Sequence, residues 1–417
     1  MALEALTLED LELEGKTIFV RADLNSPVDP KSGKLLDVSR LQEAALTLRA
    51  LARYSKVVVA SHQGRVGRSD YISMEQHAKE LSRLLGRPVA FVMDVMGEAA
   101  QRRIAALSPG EILLLDNLRF VAEENMEFSF EEAKKTVLVR RLAPLFDAVV
   151  LDAFPTAHRA HPSIIGFSEL LPTAAGRLVV KELKALSRLE NVTKGPFVAL
   201  LGGAKVGDRL EAIEQFVTSG RVEKVLVAGL LASLFLKAKG TIKYPLGIEK
   251  EEEACGKVRR LLEEHPELFE LPSDVAVDRG GERVEVPVSE VREGERIYDL
   301  GSATIARYAR YILGAGTVFV SGPPGLFERE EFSEGTRRLL EAVASSYATT
   351  VVSGGHLNAA LQKYGIRDSI DLVSTAGGAL VLYLAGRRLP MLEALQRAYK
   401  RWREQHVAPR APGQASP

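Results

Sequence analysis

Two doubly wound parallel-sheet α/β lobes joined by a helix are what this chain is expected to form, and three observations predict it. Short β-branched runs alternate with amphipathic helical stretches almost throughout, the signature of parallel α/β architecture. At 417 residues the chain exceeds what one core usually supports, so domains of about 100–200 residues each are expected. A long helical stretch after Pro172 separates two series of strands.

The first series reads as strands near 17–23 (TIFVRAD), 56–61 (KVVVAS), 88–93 (PVAFVM), 111–116 (EILLLD) and 148–153 (AVVLDA). The helical stretch at 174–189, AAGRLVVKELKALSRL, sets Leu178, Val179, Leu183 and Leu186 at helical spacing. Strands then restart at 197–203, 225–230, 274–278, 296–301, 317–322 and 348–355. Each half is therefore Rossmann-like in its winding. The tail from about Gln405, rich in Pro, Ala and Gly, is expected to be disordered.

Composition narrows the function classes. Lys+Arg and Asp+Glu tie at 55 each, which argues against a chain that coats nucleic acid or an anionic membrane. The single cysteine, Cys255, excludes an internal disulfide and a multi-cysteine metal site. No basic-then-apolar leader occurs, and no apolar run approaches the roughly 18 residues of a membrane span. A soluble, cytoplasmic chain is expected. Asn191-Val192-Thr193 matches a glycosylation acceptor that such a chain would not use.

Ligands of an open parallel sheet bind outside the carboxyl ends of its strands. In the first half those ends carry cations. Asp152 to His161, DAFPTAHRAH, sets Arg159 between His158 and His161. The first strand ends in Asp23, Leu24 and Asn25, the second in His62, Gln63, Gly64 and Arg65, and the fourth in Arg119; Arg40 opens a helical stretch after a Gly-containing loop. One exposed Arg is ordinary. Arg or His at three strand ends and one helix start, beside the polar end of a fourth strand, points to a pocket for a small anion, since guanidinium offers a planar fork suited to phosphate or carboxylate.

Glycines mark the strand ends of the second half: Gly202-Gly203-Ala204-Lys205, Gly322-Pro323-Pro324-Gly325, Ser353-Gly354-Gly355-His356 and Gly377-Gly378. Several precede a helix, so bare N–H groups and a positive dipole end would face phosphate, with Lys205 adding a mobile cation. Any one pair is also compatible with a plain tight turn. Gly15-Lys16-Thr17 precedes a strand and lacks the upstream glycine of a Walker loop, and no GxGxxG occurs.

Taken together, RADLNSPVD, SHQGR, LLLDNLRF, DAFPTAHRAH, KELKALSRL, VALLGGAKVGDRL, FLKAKG, SGPPGLFEREEF, SGGHLNAAL and STAGGALVLYLAG resemble phosphoglycerate kinase, from about Leu13 to Tyr399 and in forms closest to archaeal members. The resemblance implies lobes hinged across a cleft: 1–172, joined by 391–405, for 3-phosphoglycerate; 173–190 as the connecting helix; 191–390 for nucleotide. It implies reversible phosphoryl transfer between 1,3-bisphosphoglycerate with ADP and 3-phosphoglycerate with ATP. Mg²⁺ is carried with the nucleotide, and no protein metal ligand is assigned. On the phosphoglycerate side the resemblance assigns Asp23, Leu24, Asn25, Arg40, His62, Gln63, Gly64, Arg65, Arg119 and Arg159. On the nucleotide side it assigns Lys205, Arg209, Glu328, Ser353, Gly354, Gly355, His356, Gly377 and Gly378, with Arg40 and Lys205 catalytic. A monomer is the default, a homodimer stays open, and neither nucleic acid nor membrane is a partner.

Departures from the family pattern cluster on the nucleotide side. Arg209 stands for a Lys, Ser321 for an Asn, Ser353 and Ala376 for glycines, and His356-Leu357 for Asp-Thr. Losing that Asp removes a carboxylate that suits Mg²⁺ better than imidazole does. On the other lobe Pro155 and Val66 replace a small residue and a Pro in loops. A silent two-lobed sensor has no reason to keep both Lys205 and Arg40. A dinucleotide dehydrogenase lacks its glycine fingerprint. Zinc on His158 and His161 lacks a third ligand nearby.

Overall fold

In the computed structural model of the chain, residues 4–190, 195–374 and 376–406 are described. The acceptor at Asn191–Thr193 and the tail beyond His406 lie outside them. The chain divides into two compact units, one running to Lys184 and resuming at Arg388, the other from Ala185 to Arg387. The helix Arg177–Glu190 carries the chain from the first into the second.

The first unit holds β1 (Thr17–Ala22), β2 (Lys56–Ala60), β3 (Val89–Val92), β4 (Ile112–Leu115), β5 (Ala148–Asp152) and β6 (Thr173–Ala175), in the order β3-β4-β2-β1-β5-β6. All pairings are parallel, with Val20 opposite both Val59 and Val150. Strands buried on both faces read as continuous apolar runs, and along β1 the faces divide by alternation. Ile18, Val20 and Ala22 join the core under the helix Ser39–Leu51, with Leu41, Ala44 and Leu48. Phe19 faces the other way, its ring 5.1 Å from Phe146 and 4.7 Å from Phe167. Arg21 shares that second face.

The helix Pro390–His406 returns to this unit. Arg397 grips Glu169 with two hydrogen bonds of 2.8 and 3.1 Å, and its guanidinium lies 4.5 Å over the Phe130 ring. The Met391 N–H donates to the Ala157 carbonyl at 3.1 Å, which braces the loop after β5 from behind.

Asp152 ends β5 and caps the start of the helix that leaves the unit: Oδ1 accepts from the N–H of Leu178 at 2.9 Å and of Val179 at 3.3 Å. Burial pushes its carboxyl up from 3.8 to about 6, against hydrogen bonds from Thr47 and those two N–H groups. Between the unfolded value and about 6 the folded chain holds the extra proton, so this group's contribution to stability falls as pH rises through that window. Asp152→Asn keeps the capping oxygen and removes the charge. Urea titrations at about pH 4.5 and pH 7 are expected to show a shallower loss of stability than in the parent; an identical loss would contradict this account.

The second unit holds β7 (Phe197–Leu201), β8 (Lys224–Val227), β9 (Phe269–Glu270), β10 (Asp274–Arg279), β11 (Glu282–Pro287), β12 (Ile297–Leu300), β13 (Thr317–Ser321), β14 (Thr349–Ser353) and β15 (Leu372–Ser374). Six make a parallel sheet in the order β15-β14-β13-β7-β8-β9. The expected strands at 274–278 and 296–301 form, but outside that alternation. They are β10 and β12 of a separate antiparallel sheet, completed by β11, which the strand reading passed over. The cause is local. Arg279 pairs with Glu282 across Gly280-Gly281, whose φ angles of 70° and 90° suit a two-residue hairpin turn. Among the described residues no helix is long and apolar enough to cross a membrane.

Candidate active site

In the first unit the winding reverses between β1 and β5, the switch point beside which such sheets bind ligands. A cavity of ≈ 560 Å³ opens at the carboxyl ends, lined by Asn25 after β1, His62, Gly64 and Arg65 after β2, Arg119 after β4 and Arg159 after β5. Arg68 and Asp70, from the same loop as Arg65, complete one side.

Specific hydrogen bonds hold these loops together. A Cβ at Gly64 would stand 2.2 Å from the Asp70 carbonyl oxygen, so only glycine lets the loop fold back on itself. The Gly64 N–H donates to Asn25 Oδ1 at 2.8 Å, and its carbonyl accepts from Arg119 Nη1. Asn117, fully buried, spends its whole amide on the same junction. Its Oδ1 accepts from the N–H of Gln63 (3.1 Å) and Arg119 (3.0 Å), while Nδ2 donates to the carbonyls of Gln63 (2.7 Å) and Ile72 (2.9 Å). The β2 and β4 loops are thus tied to each other through Asn117.

Charge in the cavity is poorly balanced. Burial, then Arg159, Arg21 and Arg65, pulls the Arg119 guanidinium down to about 10; burial and Arg65 pull Arg159 down as well. His62 is held well below its ordinary value by burial and then by Arg21, Arg119 and Arg159. Burial is also the first cause that lowers His158 to about 4 and His161 to about 3. These imidazoles are neutral at pH 7, so guanidinium groups carry the positive field. Cations that depress one another gain from any anion that enters.

Four residues expected on this side do not line the cavity. Leu24 has its side chain in the core, and its backbone is engaged on both sides: the N–H donates to Ser61 Oγ at 2.9 Å and the carbonyl accepts from Ser26 Oγ at 3.1 Å. Gln63 is a buried strut: Nε2 donates to the carbonyls of Ser26 (2.9 Å) and Asp70 (3.2 Å), and Oε1 accepts from the Ser26 N–H (2.9 Å). Both placements have the same reason, since every polar group each residue offers is already engaged inside the fold. Asp23 and Arg40 pair with each other beside β1. Arg21 and Asn117 were not singled out by sequence. A charge interrupting the apolar run TIFV-R-A was the available signal for Arg21.

In the second unit the reversal lies between β7 and β13. The four glycine turns fall into two groups. Gly202 donates its N–H to the Ser321 carbonyl at 2.9 Å, Gly203 to Pro323 at 2.8 Å, and Gly325 to Thr336 Oγ1 at 3.0 Å. A Cβ at Gly202 would lie 2.6 Å from the Pro323 carbonyl oxygen, and one at Gly322 2.1 Å from that of Gly202. These glycines let the two turns touch; their N–H groups are not bare, contrary to the expectation. Arg209 locks the same junction, its Nε donating to the Gly202 carbonyl at 3.1 Å, with burial lowering its pKa. Arg209 therefore clamps the turns rather than reaching outward.

Gly354, Gly355, Gly377 and Gly378 differ. A side chain at any of them would meet nothing within 4 Å, and they open the helices Gly355–Lys363 and Gly378–Leu384 after β14 and β15. Gly354 sits at φ 117°, which only glycine adopts readily. The backbone at these helix starts thus has open space beside it, where the positive end of each helix dipole lies. Ser353, by contrast, is buried at the end of β14. Lys205 is exposed at the cap of the helix Val206–Ser219. Glu328 and His356 are exposed neighbours, Oε1 to Nδ1 3.8 Å.

A family profile described as phosphoglycerate kinase matches residues 8–387. The phosphoglycerate kinase of Methanothermobacter thermautotrophicus is 43% identical over 397 residues, 94% of this chain and 96% of that one. That of Thermococcus kodakarensis is 41% identical over 413 residues, covering 95% and 98%. The crystal structure of phosphoglycerate kinase from Pyrococcus horikoshii aligns with TM-score 0.82 at 39% identity, over 95% of this chain and 99% of that one. The Coxiella burnetii phosphoglycerate kinase structure aligns with TM-score 0.70 at 35% identity, over 95% and 100%.

Proposed function

The chain belongs to the phosphoglycerate kinase family, and from that premise we propose how its two units divide the work. The activity is reversible phosphoryl transfer between 1,3-bisphosphoglycerate with ADP and 3-phosphoglycerate with ATP, a step of glycolysis and gluconeogenesis. The relatives carry the enzyme's name, which leaves a silent sensor unsupported. The cavity of the first unit takes phosphoglycerate: Arg65, Arg119 and Arg159 meet the 3-phosphate with His62 as a neutral donor, and Asn25 reaches the hydroxyl and carboxyl end. Asp23 orients Arg40, which meets the oxygens near the transferred phosphoryl. What carries the reading is the convergence of four strand-end loops on one cavity with more guanidinium than carboxylate.

The second unit takes the nucleotide. The helix starts after Gly354 and Gly377 hold phosphate oxygens, Glu328 the ribose, and Lys205 the migrating phosphoryl. A loose transition state needs positioning and charge neutralisation more than a base, and a site of guanidinium, ammonium and helix ends supplies both. Mg²⁺ enters as part of the nucleotide substrate. A monomer in the cytoplasm completes the reading. A coupled assay with 3-phosphoglycerate and MgATP tests it; no turnover would overturn it.

The His356 position adds a separate expectation. An exposed imidazole beside Glu328 offers Mg²⁺ little, because a hard cation prefers carboxylate oxygen. His356→Asp is expected to lower the Mg²⁺ concentration that gives half-maximal rate. Titrating rate against Mg²⁺ at fixed ATP checks it. An unchanged Mg²⁺ response with weaker ATP binding would instead make His356 a phosphate donor at its helix start.

A further inference from the structure

We infer that a buried chain of four residues, Glu124, Ser163, Arg21 and His62, locks the His62 ring in the tautomer that presents Nε2–H to the cavity. The inference rests on the reading of that cavity as the phosphoglycerate site. Arg21 is 1% exposed, Glu124 1% and Ser163 0%, so none of the three reaches a ligand itself.

The Arg21 Nη2 lies 3.2 Å from His62 Nδ1. A guanidinium carries donors only, so the contact is a hydrogen bond only when Nδ1 bears the lone pair. Burial and the surrounding guanidinium groups keep the ring neutral. Its single proton is then on Nε2, the nitrogen left for the cavity that His62 lines. The choice matters for an anion. With the proton on Nε2 the ring donates to phosphate oxygen; with the tautomer reversed it would present a lone pair and repel it.

The rest of the chain stops Arg21 from turning away. Its Nη1 donates to the Ala22 carbonyl, and Nε donates to Ser163 Oγ at 2.9 Å. Ser163 is oriented in turn by Glu124, its hydroxyl donating to Oε2 at 2.7 Å and its N–H to Oε1 at 2.6 Å. Arg21 thereby has all three of its nitrogens engaged, and Glu124 supplies the opposite charge that lets it remain buried. Arg21, Ser163 and Glu124 are positioning residues that act on substrate through His62.

Arg21→Lys keeps the charge and loses the planar fork, while Ser163→Ala keeps the Arg21 residue but cuts its link to Glu124 and frees it to turn away from His62. Two-bond ¹H–¹⁵N spectra of the ¹⁵N-labelled, ligand-free chain near pH 7.5 report the ring protonation directly. The parent is expected to show His62 wholly as the Nε2–H form. Both variants are expected to show mixed tautomers, with the KM for 3-phosphoglycerate raised about tenfold, as loss of one oriented donor to a charged group implies, and the KM for MgATP unchanged. A parent ring protonated on Nδ1, or a pure Nε2–H form persisting in both variants, overturns the inference. Mixed tautomers with an unchanged phosphoglycerate KM overturn it too, and Arg159→Ala measured alongside then separates two failures. If Arg159→Ala raises that KM, only the inference falls; if it does not, the reading of the cavity falls first.

Discussion

Replacing Lys205 by Ala is expected to lower kcat roughly 10²-fold or more while changing phosphoglycerate affinity little. The Lys205 side chain is exposed, follows β7 at the switch point of its sheet and caps the helix Val206–Ser219. Among the described residues it forms no ion pair, so its removal leaves no buried partner stranded and stability is expected to stay within about 0.5 kcal/mol. An ammonium on a flexible stem can follow a moving phosphoryl group in a way that the clamped Arg209 cannot. In the proposed role its benefit belongs to the transition state, where charge spreads over the transferred oxygens. A lysine that bound ground state and transition state equally would raise KM and spare kcat. Steady-state kinetics with both substrates varied distinguish these cases, and an unchanged kcat would end the assignment.

How much of this site was legible in the sequence depends on the range over which each residue's role is set. Arg65, Arg119 and Arg159 were legible because a charged residue just past an apolar strand stands at a binding edge whichever strands adjoin it. Parallel winding was legible for the same reason, since it follows from local alternation. Gln63 sits in an identical local pattern but is consumed by Ser26 and Asp70, and only the folded loop reveals that. Asn117 is more hidden still: its partners Gln63 and Ile72 lie 54 and 45 residues away.

The glycines teach the same lesson from the other side. In sequence, Gly202-Gly203 and Gly354-Gly355 look alike. The difference arises because the turn after β7 packs against the turn after β13, some 120 residues on, whereas the turn after β14 has open space above it. Loss of side-chain volume serves backbone contact in one place and exposure in the other. The hairpin β10–β11 was missed although Gly280-Gly281 is a recognisable turn, because Glu and Arg alternating with Val in β11 do not form the apolar run by which the other strands were found.

Replacing Arg159 by Ala is expected to raise the phosphoglycerate KM about 30-fold or more and to leave the nucleotide Kd nearly unchanged, because a desolvated charge pair is worth about 2–5 kcal/mol when one partner is cut away. The Arg159 guanidinium is half-buried, is depressed by burial and by Arg65, and makes no ion pair among the described residues. Its charge, which Glu127 and Asp23 offset only in part, has an effect before any ligand arrives. Removing it relieves repulsion with Arg119, whose pKa Arg159 lowers, so the ligand-free variant is expected to melt no earlier than the parent. The extra stability that the parent gains from added phosphoglycerate should at the same time shrink, since ligand stabilisation follows affinity. Binding by parent and variant alike should weaken as salt rises. Because the 3-phosphate does not react, the loss should fall mainly on KM rather than on kcat. Calorimetry with each ligand in turn decides the matter. Equal losses for phosphoglycerate and nucleotide would mean that Arg159 supports the fold at large, and a separate anion site in the first unit could not then be maintained.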